Sequence, residues 1–115
     1  MRRGEVRITD LDPARGSEAG ERRPAIIVSN DRANTTAADL GRGVVTLVPI
    51  TSNVTRVFPF QVALPAELTG LRVDSKAQAE QVRSVSVERL GAVLGRVPAS
   101  IMDAVDDALR LHLDL

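Results

Sequence analysis

Cysteine, tryptophan and tyrosine are absent from these 115 residues, and histidine occurs once, as His112. The lack of cysteine excludes disulfides and thiolate metal sites, and one histidine cannot build a metal centre by itself. Neither a metal nor a cofactor is therefore expected. No apolar run approaches the roughly 18 residues that a membrane-spanning helix needs. Arg2 and Arg3 are not followed by the apolar core of a secretion signal, so a cytoplasmic protein without a membrane partner is expected. An excess of positive charge is also missing, because 15 basic side chains face 15 acidic ones. Binding to nucleic acid through a bulk positive field is thereby excluded. Lysine is nearly absent too, Lys76 standing against fourteen arginines. A GC-rich coding sequence produces the same bias without any function, so particular arginines carry more information than their number.

What is present is ordinary for a globular protein, with 43% hydrophobic and 26% charged residues. One domain spanning residues 1–115 is expected, small enough for its stability to depend on a partner. Arg3–Asp10 alternates as a strand, with Val6 and Ile8 on one face. Leu11–Arg23 carries Pro13, Gly16 and Gly20 among charges and reads as a long loop, a feature that in a small domain points to function or disorder. Pro24–Ser29 and Val44–Thr51 are short apolar strands with the β-branched content of buried sheet. Asn30–Gly43 reads as a loop with at most one helical turn. Thr55–Leu64 alternates around Phe58 and Phe60, the only aromatics, and Pro65 and Gly70 mark a turn. Extended pieces follow over Leu71–Val87, then a short helix from Val87 and a strand over Ala92–Val97. Pro98–Leu113 is the one long helix, with Ile101, Val105, Ala108, Leu109 and His112 recurring at helical spacing. The fold class is mostly β: a small barrel-like sheet with a closing helix.

The chemistry is concentrated where strands end. Gly16–Asp31 reads GSEAGERRPAIIVSND, a loop with an acid and two arginines running into an apolar strand. Val44–Ile50 ends in Thr51, Ser52 and Asn53. Arg23 and Thr51 thus stand near two strand ends, where rigid backbone aims them together. A guanidinium supplies fixed donors that match a phosphate and never lose their charge, and a threonine hydroxyl donates beside them. Each residue alone also has a plain structural reading. Arg23 can pair with Glu21 or Glu18, and Thr51 can simply end a strand.

RGEV near the start, LDPARGSE, RRPAIIVSND, LVPITSN and EQVRSV occur in the order and spacing of the MazF/PemK (Kid) endoribonuclease toxins, and over nearly its whole length the chain resembles that family. The resemblance implies an SH3-like, PemK-type barrel and a metal-independent endoribonuclease that cuts single-stranded RNA. The 2′-hydroxyl would attack the adjacent phosphorus, leaving 2′,3′-cyclic phosphate and 5′-hydroxyl ends. It further implies a homodimer held off by a cognate antitoxin with an acidic, disordered tail. Arg23 and Thr51 fall on the family's catalytic arginine and threonine, and Glu18 on the acid of its loop motif. Glu18 either touches RNA or adjusts the arginine's surroundings, or is a solvated loop acid; Arg22 adds a phosphate contact or is an exposed charge.

RNA-binding candidates are Ser52 and Asn53, through base edges, and Phe58, by stacking on a base. The first two also suit a plain turn, and either phenylalanine also suits the core. Glu80, Gln81 and Arg83 are further RNA-binding candidates, and they lie in the segment where Kid-like relatives carry a proton-transferring acid. Here that acid is glutamate and Gln78 replaces an arginine, so the resemblance favours the Arg23–Thr51 arrangement. Arg7 stands where relatives commonly have tryptophan, and either removes a structural ring or adds charge near an RNA groove. Two other classes remain open: a gyrase-directed toxin like CcdB on the same barrel, and an inert SH3-like binding module.

Overall fold

The computed structural model describes residues 1–115. Seven strands, β1 (Glu5–Asp10), β2 (Arg22–Ile27), β3 (Val44–Thr51), β4 (Gln61–Leu64), β5 (Ser75–Gln78), β6 (Arg83–Ser86) and β7 (Leu90–Arg96), combine with three α-helices, α1 (Asp31–Leu40), α2 (Ala66–Thr69) and α3 (Ala99–Leu113), and two 3-10 turns at Ala79–Gln81 and Val87–Arg89. All pairings are antiparallel, in the order β4-β5-β3-β2-β1-β7, with β6 beside β3 as well. The result is the expected small, barrel-like, mostly β fold closed by a C-terminal helix. No helix is long and apolar enough to cross a membrane.

β3 organises the sheet. One edge pairs with β2, while the other pairs first with β6, ending at Leu47–Arg83, and then with β5, resuming at Ile50–Ala77. Pro49 has no N–H to donate, and it falls in the gap where the edge changes partner, a position that a proline tolerates. Alternation sends Val48 and Ile50 to one face, against Val6, Ile26, Leu64 and the α3 residues Met102 and Val105. Val45 and Leu47 go to the other face, against Leu11, Ala19, Ile27 and Ala37 of α1.

Several boundaries differ from the sequence expectation, each for a local reason. β2 begins at Arg22 rather than Pro24, because Asp10 and Thr9 of β1 pair with Arg22 and Arg23. Residues 31–40 form ten residues of helix instead of a loop. The Asn30 side chain accepts from the Ala33 N–H at 2.9 Å, and Gly41 ends the helix in the left-handed region at φ 64°. Such caps satisfy the end groups of a short helix. Only Asn34 and Ala37 of this helix are buried, so no apolar stripe announced it.

Phe58 and Phe60 are not in a strand. The chain turns there, with the Phe58 N–H donating to Gln61 Oε1 and the Gln61 N–H to the Phe58 carbonyl, and pairing starts only at Gln61. The region from Pro65 to Gly70 contains α2. In α3, Met102, Val105 and Ala108 are buried and Ile101 and Leu109 half-buried, but His112 is exposed, because the helix outruns the core beyond Leu109.

Asn34 locks α1 to the sheet. It is fully buried; its Nδ2 donates to the Ser29 carbonyl at 2.8 Å and its Oδ1 accepts from the Ser29 hydroxyl at 2.5 Å. Asn34→Ala leaves the Ser29 carbonyl without its partner, while the Ser29 hydroxyl keeps its bond from the Thr46 N–H, and urea unfolding is expected to register a loss of about 1–3 kcal/mol.

Candidate active site

The C-terminal end of β3 and the N-terminal end of β2 meet at an open pocket of about 480 Å³ whose walls include Glu21, Arg23, Ile50, Thr51, Ser52 and Arg72. Extending the β2–β3 register two residues beyond Ala25–Pro49 sets Arg23 across from Thr51. Directly opposite residues on an antiparallel pair share a face, with side chains about 4.5–5.5 Å apart at Cβ. The far wall is formed by Gly70, Leu71 and Leu94. A Cβ on Gly95 would lie 2.0 Å from the Thr69 carbonyl oxygen, so only glycine lets β7 approach the end of α2 and close this wall.

Arg23 is half-buried and its Nε donates to the Gly20 carbonyl at 2.7 Å. That bond sets the direction of the guanidinium and leaves both Nη groups without a hydrogen-bond or ion-pair partner in the chain. The pairing with Glu21 or Glu18 that the sequence allowed is not made. Thr51 Oγ1 accepts from the Asn53 N–H at 3.2 Å, which leaves its hydroxyl hydrogen free to donate. An anchored fork of N–H donors and a free O–H therefore stand side by side at the rim, an arrangement suited to the oxygens of a phosphate.

Beside them Glu21 adopts a left-handed φ of 65°. Its N–H donates to Asp12 Oδ1 at 2.7 Å and its carbonyl accepts from the Leu11 N–H at 3.0 Å. A non-glycine residue in this region costs roughly 1–2 kcal/mol, which those bonds offset. No group of His, Cys, Asp and Glu side chains is arranged to hold a metal ion.

The other candidates divide. Ser52 joins the pocket, whereas Asn53 lies outside it and accepts from the Thr55 N–H through Oδ1. Glu18 is exposed in the loop, its Oε1 accepting from the Arg15 N–H, and it does not reach the pocket. Arg22 points into a separate polar depression with Asp10, Asp12 and Arg89. Phe58 is 40% exposed and stacks on Phe60 with centroids 5.4 Å apart. Glu80 Oε2 accepts from Gln61 Nε2 at 2.6 Å, away from the pocket.

Gln81 and Arg83 hold the long loop. Gln81 Oε1 accepts from the Ala19 N–H at 2.9 Å and its Nε2 donates to the Ser17 carbonyl at 2.8 Å, while Arg83 donates to the Leu11 carbonyl. Arg7, in place of the aromatic, is tied to Glu5 and the Gly91 carbonyl. Sequence reasoning did not select Glu21, Arg72 or Lys76. Glu21 adjoins the arginine pair and was a visible candidate; Arg72 reaches the pocket, and Lys76 the segment after Thr51, only through the fold.

Gln81→Ala removes both bonds to the loop. Amide exchange at Ala19 is expected to accelerate at least about tenfold, with global stability lowered by about 1–2 kcal/mol.

Comparison with known proteins adds to this geometry. Residues 2–113 match the family described as PemK-like, MazF-like toxin of type II toxin–antitoxin system. The chain is 64% identical over 115 residues to Endoribonuclease MazF9 of Mycobacterium tuberculosis, covering 100% of this chain and 98% of that protein. It superposes on MazF from Deinococcus radiodurans with a TM-score of 0.80 at 27% identity, covering 100% of this chain and 97% of the other. A mycobacterial endoribonuclease solved in complex with its cognate antitoxin gives a TM-score of 0.75 at 26% identity, covering 100% and 96% of the two chains.

Proposed function

The chain belongs to the PemK-like, MazF-like toxins, and from that premise we propose that its pocket is the RNA-cleaving centre of an endoribonuclease. The single observation that carries this reading is the Arg23 guanidinium, anchored through Nε and presenting two unpartnered Nη groups beside the free Thr51 hydroxyl. The 2′-oxygen of single-stranded RNA attacks the adjacent phosphorus. A P–O2′ bond forms as the 2′-hydroxyl gives its proton to solvent water, the P–O5′ bond breaks, and the leaving 5′-oxygen takes up a proton from solvent water. The ends are a 2′,3′-cyclic phosphate and a 5′-hydroxyl. Arg23 and Thr51 donate to the non-bridging oxygens, where charge accumulates in the transition state. Preorganised donors of this kind commonly supply about 10²–10³-fold each.

Glu18 serves the site indirectly, from the loop that carries Gly20, the acceptor that orients Arg23. Ser52 and Asn53 read base edges just beyond Thr51, with Phe58 as a stacking surface. Arg22 contacts phosphate further along the strand. Gln81 and Arg83 contribute through the loop they hold, and Glu80 through Gln61.

The protein acts in the cytoplasm as a homodimer. Leu111 and Leu113 on α3 and Val93 and Leu94 on β7, all exposed, supply apolar surface for a second copy. A cognate antitoxin with an acidic tail, disordered before binding, covers Arg23 and Arg72 and silences the pocket. This reading stands ahead of the gyrase-directed and binding-only alternatives because relatives along the full chain are named endoribonucleases.

Purified protein incubated with a long single-stranded RNA in excess EDTA is expected to cut at one short word, and mapping the ends gives that word. Arg23→Ala should lower cleavage by at least about 10²–10³-fold while circular dichroism stays that of the parent. Intact RNA with folded, antitoxin-free parent protein would refute the nuclease reading. Thr51→Ala is expected to lower kcat about 10²–10³-fold with little change in RNA affinity; a pure affinity loss would assign Thr51 to binding.

A further inference from the structure

The one lysine of the chain is almost fully buried. Lys76 is 7% exposed, and it pairs with Thr51 across β3 and β5. Its ammonium takes part in none of the protein's three ion pairs. Instead Nζ donates to the Arg56 carbonyl at 2.6 Å and lies 5.9 Å from the centroid of the Phe58 ring. A buried cation without a carboxylate is costly, so the groups around it are those that must satisfy it. Here those groups belong to the connection between β3 and β4, residues 52–60, of which all but Phe60 are exposed.

That connection has little else to define it. Beyond short turns at Thr51–Asn53–Thr55 and Phe58–Gln61, its tie to the sheet behind Thr51 is the lysine amine. We propose that Lys76 is a positioning residue for RNA selection: its ammonium clasps the Arg56 carbonyl and the Phe58 ring, and so holds the segment bearing Ser52 and Asn53 in the shape that reads the bases flanking the cut. The side chain is too enclosed to meet the phosphate itself, so it acts through the loop rather than on the reacting atoms. A charge-assisted bond to a carbonyl and a cation–π contact both require the positive charge, whereas the buried stem supplies only packing. An apolar side chain of the same length therefore separates the two contributions. The inference rests on the nuclease reading above.

The test compares the full-length parent with Lys76→Met and Lys76→Arg. In the free proteins, amide exchange at residues 54–60 is expected to rise about tenfold or more in Lys76→Met, with the exchange of β2 and α3 unchanged. On the preferred RNA word, KM should rise about tenfold while kcat changes by less than about threefold, a split that loss of one charged hydrogen bond would produce. Cutting of words altered at one flanking base should fall less, so discrimination narrows. Lys76→Arg, which keeps the charge, should restore both exchange protection and word preference. Unchanged exchange in Lys76→Met overturns the clasp. Faster exchange with parental KM and word preference overturns the role in RNA selection. Equal loss of kcat for all words, unrescued by arginine, assigns Lys76 to packing alone and also overturns it. Failure of the parent itself to cut RNA is a separate result, because it refutes the nuclease reading before any variant is compared.

Discussion

Strand β3 is hydrogen-bonded along both edges, and its pairing is the constraint from which the site follows. β2 holds one side, and β6 and then β5 hold the other. Eight residues thereby separate two apolar layers, carry the partner switch at Pro49 and deliver Thr51 to the sheet rim. Because pairing in a sheet advances residue by residue, the register that buries Ile26 against Val48 also sets Arg23 opposite Thr51. A slip of one residue in β3 would turn Thr51 to the face away from Arg23 and disrupt both cores together. The geometry of the pocket is thus protected by the burial of the strands behind it.

Around that rim, side chains bonded to main-chain groups do most of the positioning. Gly20 orients Arg23, Asp12 supports the left-handed Glu21, Gln81 grips Ala19 and Ser17, and Lys76 grips Arg56. Such bonds are individually modest, about 0.5–1.5 kcal/mol net, or more where one partner is charged. They act on segments with few apolar contacts, where a single bond determines local shape more strongly than it affects global stability. The zero net charge is compatible with an anion site for the same reason. A guanidinium whose Nη groups have no internal partner offers local donors irrespective of the charge of the whole molecule.

The strands with strong apolar runs were legible in the sequence, and β3 was read with its observed limits. Arg23 and Thr51 were singled out because arginine and threonine at two strand ends form a recognisable chemical pattern, reinforced by the family resemblance. α1 was missed, because its buried face is Asn34 and Ala37, and its stability comes from caps and buried hydrogen bonds, not from an apolar stripe. Phe58 and Phe60 misled in the opposite direction: their alternation suggested a strand, but the rings stack within a turn. Gln81 and Arg83 were picked as RNA contacts from their motif; their bonds to the loop between β1 and β2, which join residues more than 60 apart, became visible only in the folded chain.

The sequence by itself determined the class of fold, the absence of thiol chemistry, and the two strand ends on which a phosphate site can be built. Each of these depends on residue type and short-range spacing, which a linear reading contains. Tertiary structure alone decided that Arg23 is oriented by Gly20, that Arg72 enters the same pocket, and that Lys76 lies beneath the segment following Thr51. Those placements join residues far apart along the chain, and they arise from strand pairing and burial, which no local pattern encodes.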